Sequence, residues 1–314
     1  MKASKIAFAL ALTVTFAVPS TGRAASPHQP ECQSPANPSV APPSGFDPLT
    51  ASKEELRCYG FPKRPTQPDA LASWTAAMKA AKHYVVPVAS GVIATGPEIS
   101  SNWAGYIVHN TDQSPAMTWD ETIGQWNVPK ANTSNNGLYV YPWVGMGGDG
   151  SPNIIQAGTS SQNSGSGKYN FWWEDYPSGI NLLSSPSVNP GDQVYVNVSY
   201  NGDKTSSFLL EDVTTGNYTN LPENTPNVSQ DTAEFIVEEP QPTKGYTNFG
   251  TVTFSQCYAY GWTSTSQYLT NPFDQYNIRQ MVMTQGGVNG GTVEAAPSNP
   301  PNSSTHGFAV YSFT

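Results

Sequence analysis

The chain has 314 residues, enough for one large all-β domain or two ordinary ones, and only 12% of its side chains are charged. Its formal net charge is −9, and residues 99–314 hold five Lys and Arg against 17 Asp and Glu. That surplus argues against nucleic acid or an anionic membrane as partner, and its self-repulsion relaxes as carboxylates protonate near about pH 4.

The amino terminus has the layout of a secretory signal over residues 1–24. Lys2 and Lys5 give the positive end, Ile6 to Val18 the apolar run, and Gly22-Arg23-Ala24 a small-residue cleavage site. That run is too short to span a bilayer comfortably, and no later stretch is long and apolar enough to do so. A secreted, extracellular protein is expected. Cys32 and Cys58 are placed to pair in an oxidising compartment, and Cys257 is left over. There is no CxxC, HExxH or His/Cys cluster, so neither a metal nor another cofactor is expected.

Residues 26–49 are rich in Pro, Ser and Ala, a composition of extended chain. Ser52-Lys-Glu-Glu55 has the spacing of a capping box for a short helix through Cys58. Asp69 is expected to cap a helix over Ala70–His83, with Leu71, Trp74 and Met78 on one stripe. A small helical unit behind a signal and ahead of strands suggests a pro-segment over residues 25–98. The alternative is a small subdomain kept in the mature protein. Its basic residues Lys79, Lys82 and His83 suggest a helix lying over an acidic cleft as an inhibitor.

From residue 99 to 314 the pattern is strands and turns. Candidate strands are Trp103–His109, Met117–Val128, Leu138–Met146, Asn153–Gly158, Lys168–Asp175, Gln193–Tyr200, Ser206–Val213, Thr232–Glu238, Gly250–Cys257, Ile278–Thr284 and Phe308–Phe313. Turn signals such as Asn136-Gly137 and Asn201-Gly202-Asp203 separate them. Many short strands at this spacing indicate an all-β, antiparallel β-sandwich of two packed curved sheets, concanavalin-like in architecture. Asn132, Asn197, Asn217, Asn227 and Asn302 open Asn-X-Ser/Thr triplets, acceptors for glycan in a eukaryotic secretory pathway.

Period two separates the faces of the strands. In Thr232–Glu238, Ala233, Phe235 and Val237 oppose Glu234, Ile236 and Glu238. In Asn153–Gly158, Ile155 and Ala157 oppose Gln156; in Lys168–Asp175, Phe171 and Trp173 oppose Trp172 and Glu174. With the apolar sides turned to the core, Gln156, Glu174, Glu238 and Trp172 share the other face, joined by Tyr139, Tyr141 and Trp143. Such a face is an aromatic cleft floored by an amide and two carboxylates, provided the strands are neighbours. An amide and a carboxylate suffice for peptide hydrolysis. The carboxylate takes a proton from the attacking water and returns it to the leaving nitrogen, while the amide NH2 donates to the oxyanion.

Ser101-Asn-Trp-Ala-Gly105, Trp143-Val-Gly145, Ile154-Ile-Gln-Ala-Gly158, Trp172-Trp-Glu-Asp-Tyr-Pro177 and Ala233-Glu-Phe-Ile-Val-Glu238 resemble, in order, the signature blocks of the glutamic peptidases (eqolisins). The resemblance covers about residues 100–260. It implies a two-sheet sandwich made as an acid-activated precursor, a secreted acid protease and zymogen hydrolysing protein or peptide substrates. It also implies a catalytic pair Gln156 and Glu238, Glu174 in support, and Trp103 and Trp143 in or near the substrate cleft, with a monomer expected. Two departures stand out. Met146-Gly-Gly-Asp149 follows the Trp-Val-Gly block, so the aspartate usual there is absent or displaced, and Ala157 stands where threonine is usual.

A Ser/His/Asp hydrolase would need a histidine and a Gly-x-Ser-x-Gly elbow; past the helical unit there are only His109 and His306, and no such elbow. The rivals are a β-sandwich glycoside hydrolase using Glu174 and Glu238, and a non-catalytic carbohydrate-binding module with Trp103, Trp143 and Trp172 as sugar platforms.

Overall fold

The computed structural model describes residues 41–93, 102–130, 137–162, 167–240, 245–285 and 291–313. The signal segment, Cys32 and Asn132 lie outside the described residues. Two helices, α1 (Lys53–Cys58) and α2 (Pro68–Ala80), come first. The strands that follow are β1 (His83–Tyr84), β2 (Val88–Ile93), β3 (Trp103–His109), β4 (Met117–Asn127), β5 (Tyr139–Gly147), β6 (Ile154–Gln162), β7 (Lys168–Asp175), β8 (Ile180–Ser187) and β9 (Gln193–Tyr200). They continue with β10 (Thr205–Asp212), β11 (Asn217–Asn224), β12 (Thr232–Glu238), β13 (Thr251–Thr263), β14 (Tyr268–Pro272), β15 (Arg279–Met281), β16 (Met283–Thr284), β17 (Val293–Pro297) and β18 (Phe308–Ser312).

The strands form two sheets, as the alternation predicts. The eight-stranded sheet runs β15-β3-β12-β5-β6-β7-β8-β2. The ten-stranded sheet runs β1-β11-β10-β9-β4-β13-β18-β17-β16, with β14 also on β13. Pairing is antiparallel apart from the short parallel contact of β1 with β11. Val194, Val196, Val198 and Phe208 of the larger sheet pack against Val144 and Phe171 of the smaller in one buried cluster. Each such side chain contributes about 1.5–3 kcal/mol by leaving water.

The helical unit differs in detail from its prediction. The capping box at Ser52 and Glu55 forms with both reciprocal hydrogen bonds. In α2 the cap is Gln67 and Pro68 takes the first helical position, where its missing N–H costs nothing. The helix ends at Ala80 rather than His83, and Leu71 is exposed; the buried stripe is Ala70, Trp74, Ala77 and Met78. That stripe, with Leu56, Tyr59 and Phe61, packs on Ile123, Tyr195, Leu209, Tyr258 and Tyr260. These residues lie on the outer face of the ten-stranded sheet, away from Gln156 and Glu238. The helix therefore does not cover the predicted cleft, because its apolar stripe finds an apolar and aromatic partner on the other sheet. Among the described residues, the ion pairs the helical unit brings are Lys63 with Asp120, at 2.7 Å, and Arg57 with Asp203, not pairs of Lys79 or Lys82. The following chain adds an edge strand to each sheet, β1 to the larger and β2 to the smaller.

Cys58 is disulfide-bonded, whereas Cys257 is a buried free thiol. Asn197 is buried and donates to Glu121 at 2.7 Å, which removes that triplet as a glycan acceptor in the folded protein.

Candidate active site

β5 is the spine of the candidate site, with β12 on one side and β6 on the other, and β7 beyond β6. Partners opposite one another in antiparallel strands share a face. Glu238 faces Tyr141 across β12 and β5, and Trp103 across β12 and β3. Gln156 faces Gly145 on β5 and Glu174 on β7. Gln156, Glu174 and Glu238 thus share the outer face of the eight-stranded sheet, as the alternation predicts. Between the two residues of the expected dyad lie one strand and a register offset of four residues.

All three side chains are buried, so each polar group needs a partner. The Glu238 carboxylate accepts from Trp143 Nε1 through Oε2 and from Asn102 Nδ2 through Oε1, both at 3.0 Å. Two donors thus fix the orientation of the carboxylate. The Gln156 amide donates from Nε2 to Glu174 Oε2 at 2.7 Å. One N–H is thereby fixed while the second is left for another acceptor.

The predicted aromatic residues gather around this pair. Trp103 meets Trp143 edge-on at 5.1 Å, Tyr141 meets Trp172 edge-on at 5.4 Å, and Tyr139 stacks on Tyr141 at 5.6 Å. With Ile107, Ile154, Ile180 and Ile236 they form a buried cluster of their own. The Tyr141 hydroxyl is pushed well above its usual range by burial first, then by Tyr139, Glu238 and Glu174. Both carboxylates are therefore within electrostatic reach of one phenol.

Two residues escaped the sequence reading as site residues. Asn102 sits just ahead of β3, where no periodicity marks it. Glu234 was visible on the right face; it lies one residue across from Gln156, with Gly145 between them. Glu234 accepts from Thr232 Oγ1 at 3.0 Å and from the Asp149 amide at 3.3 Å. Gly145 has to be glycine: a Cβ there would stand 2.7 Å from the Ile155 carbonyl oxygen and 2.9 Å from Gln156 Cβ.

A model of the Peptidase A4 family matches residues 101–296, nearly the whole of this two-sheet region. The chain belongs to the Peptidase A4 family. Among its relatives in that family, Scytalidopepsin B of Scytalidium lignicola is 30% identical over 147 residues, 45% of this chain and 52% of that protein. The match thus spans about half of that relative's length. Aspergillopepsin-2 of Aspergillus niger is 26% identical over 230 residues, 63% of this chain and 78% of that protein. A solved structure of scytalido-glutamic peptidase with a transition state analog inhibitor is similar at a TM-score of 0.51 and 25% identity, covering 68% of this chain and all of that one. The two-sheet sandwich and the glutamic-peptidase resemblance are both borne out.

Asp149 itself has a definite place in this A4 chain. Asp149 sits beyond a turn in which Gly147 and Gly148 take φ of 89° and 98°, a backbone region open to glycine. Its carboxylate reaches Arg279 Nη1 at 3.4 Å, while its amide is held by Glu234. Its side chain serves the rim of the sheet.

Proposed function

We propose that this chain is a secreted, acid-acting endopeptidase in which Glu238 and Gln156 form the working pair. The observation that carries the reading is that both share one buried face around β5, each oriented by its own hydrogen-bond partners. Water held near Glu238 attacks the scissile carbonyl carbon, forming the C–O bond as Glu238 takes the water proton. The carbonyl oxygen becomes an oxyanion that accepts the second N–H of Gln156, a contact worth about 3 kcal/mol for one well-placed donor. The C–N bond then breaks as Glu238 returns the proton to the departing nitrogen. Glu174 is a positioning residue that fixes the rotation of the Gln156 amide.

Working pH follows from the base. Glu238 has to be ionised, which an ordinary carboxylic acid of pKa about 4.3 allows in mild acid. Trp103, Trp143, Trp172, Tyr139 and Tyr141 provide apolar area for an extended protein or peptide substrate. The disulfide at Cys58 suits export, with residues 1–24 as the leader. We read the helical unit as part of a precursor; its seat on the far sheet supports a bracing role more than direct occlusion by the helix.

Substituting Gln156 separates this reading from a glycosidase built on Glu174 and Glu238. Gln156→Ala is expected to abolish digestion of an unfolded protein, whereas a two-carboxylate glycosidase would lose little of its activity on a polysaccharide.

A further inference from the structure

Among the polar atoms on the outer face of the eight-stranded sheet, the Tyr141 hydroxyl has the most specific surroundings. It is buried without a hydrogen-bond partner, and buried polar groups in that condition ordinarily meet water or a ligand. Its position is set twice over. Tyr141 is the direct cross-strand neighbour of Glu238, and its ring is clamped between Tyr139, stacked at 9°, and Trp172, edge-on at 81°. Glu238 is not in need of this hydroxyl, since its two oxygens accept from Asn102 and Trp143. On the other side, the Gln156 amide is tied to Glu174, and the charges of Glu174 and Glu238 both act on Tyr141. Tyr141 thus lies in the cross-strand row of Glu238, on the strand that separates Glu238 from Gln156, with its hydroxyl unengaged on the face the two share.

We propose that the Tyr141 hydroxyl is a second hydrogen-bond donor to the carbonyl oxygen of the peptide bond being cleaved, acting beside Gln156. The inference rests on the peptidase reading above and adds a catalytic residue to it. As water adds to the carbonyl carbon, the C=O π electrons move onto oxygen. That oxyanion accepts from Gln156 Nε2 and Tyr141 Oη, and Tyr141 keeps its proton throughout. When the C–N bond breaks, the pair returns to C=O and both donors relax. Burial and two neighbouring carboxylates make the phenol hard to ionise, so it remains a donor wherever Glu238 can act as base. Two preorganised donors are the usual complement for a tetrahedral oxyanion, and losing one ordinarily costs about 100-fold or more in rate.

The test is Tyr141→Phe, which keeps the ring and its stacking and removes only the hydroxyl. The expected result is a fall in kcat of about 100-fold or more at nearly constant KM, with an unchanged melting temperature. Affinity for a phosphinate-containing peptide, whose tetrahedral oxygens mimic the oxyanion, should fall by a similar factor. Affinity of the Glu238→Gln protein for the uncleaved peptide should not change when Tyr141→Phe is added. Equal losses for both ligands, or kcat equal to wild type, would overturn the proposal in favour of a packing role. Should Tyr141→Phe fold poorly, 3-fluorotyrosine at position 141 replaces it: kcat at or above wild type supports the donor, and a loss like that of a destabilised core opposes it. A wild-type protein inert on peptides in acid would sink the peptidase reading and this proposal together. An active wild type with an equally active Tyr141→Phe would sink this proposal alone.

Discussion

Gln156 and Glu174 stand directly opposite one another on β6 and β7, and the amide of the first donates to the carboxylate of the second at 2.7 Å. A primary amide rotates about its last torsion unless something holds it, so Glu174 decides where the remaining N–H points. Glu174→Ala is expected to lower kcat by about 10- to 100-fold through lost orientation, with little change in KM. Glu174→Gln keeps an acceptor oxygen and should recover much of that loss. Steady-state kinetics on a peptide substrate decide the matter; a Glu174→Ala enzyme as fast as wild type would remove the positioning role.

Trp143 and Asn102 both donate to Glu238 at 3.0 Å. Each holds one oxygen of the carboxylate, so removing either loosens its orientation toward the attacking water. Trp143→Phe keeps the edge-on contact with Trp103 while deleting the N–H, and a fall in kcat of about 10-fold at nearly constant KM is expected. A Trp143→Phe enzyme as fast as wild type would mean that this donor does not orient the base.

Much of this arrangement was legible in the residues themselves. Period two in Thr232–Glu238 and Lys168–Asp175 sorts core from cleft correctly, because one face of each strand is thoroughly apolar, and several strand boundaries come out as predicted. β8 and β11 escaped because Pro186 and Pro222 interrupt them and their polar residues blur the alternation. Asn102 escaped because it acts from outside a strand. Strand neighbourhood is a long-range property that periodicity does not encode: it took the β12-β5-β6-β7 order to join Gln156, Glu174 and Glu238 on one face. The helical unit was seen as a unit but set on the wrong sheet, because charge was weighed where its apolar stripe decides.

Acid should stabilise the fold as well as suit the chemistry. Burial raises Glu121 and Glu239 from an ordinary 4.5 to about 8 each. Folded, both keep a proton that the unfolded chain releases above pH 4.5. Their contribution is therefore complete in acid and is lost as pH rises from 4.5 through 8, by about 1 kcal/mol per pH unit for each group. Melting temperature is expected to be higher at pH 4 than at pH 8. A melting temperature that climbs across that interval would contradict the protonated state of these two carboxyls.

The seat of α2 predicts how the helical unit is held. Trp74 and Met78 are buried in a mixed apolar and aromatic contact with the ten-stranded sheet, and Trp74 Nε1 also donates to the Pro62 carbonyl. Salt screens exposed ion pairs but strengthens apolar contact little or not at all against it. Amide exchange in α2 should therefore be as slow in 1 M salt as in dilute buffer at neutral pH (about a threefold change in screening length). Trp74→Ala should speed it markedly, by removing about 3–5 kcal/mol of packing. Rapid exchange in high salt alone would identify charge as the latch.

The central claim is that Gln156 and Glu238 together hydrolyse peptide bonds. Digestion of an unfolded protein, followed from pH 2 to 7 for the wild type, Glu238→Gln and Gln156→Ala with melting curves for each, tests it most directly. Cleavage confined to acid, indifferent to chelators and serine reagents, and lost in both folded variants is the predicted result. Undiminished cleavage by either folded variant would contradict it.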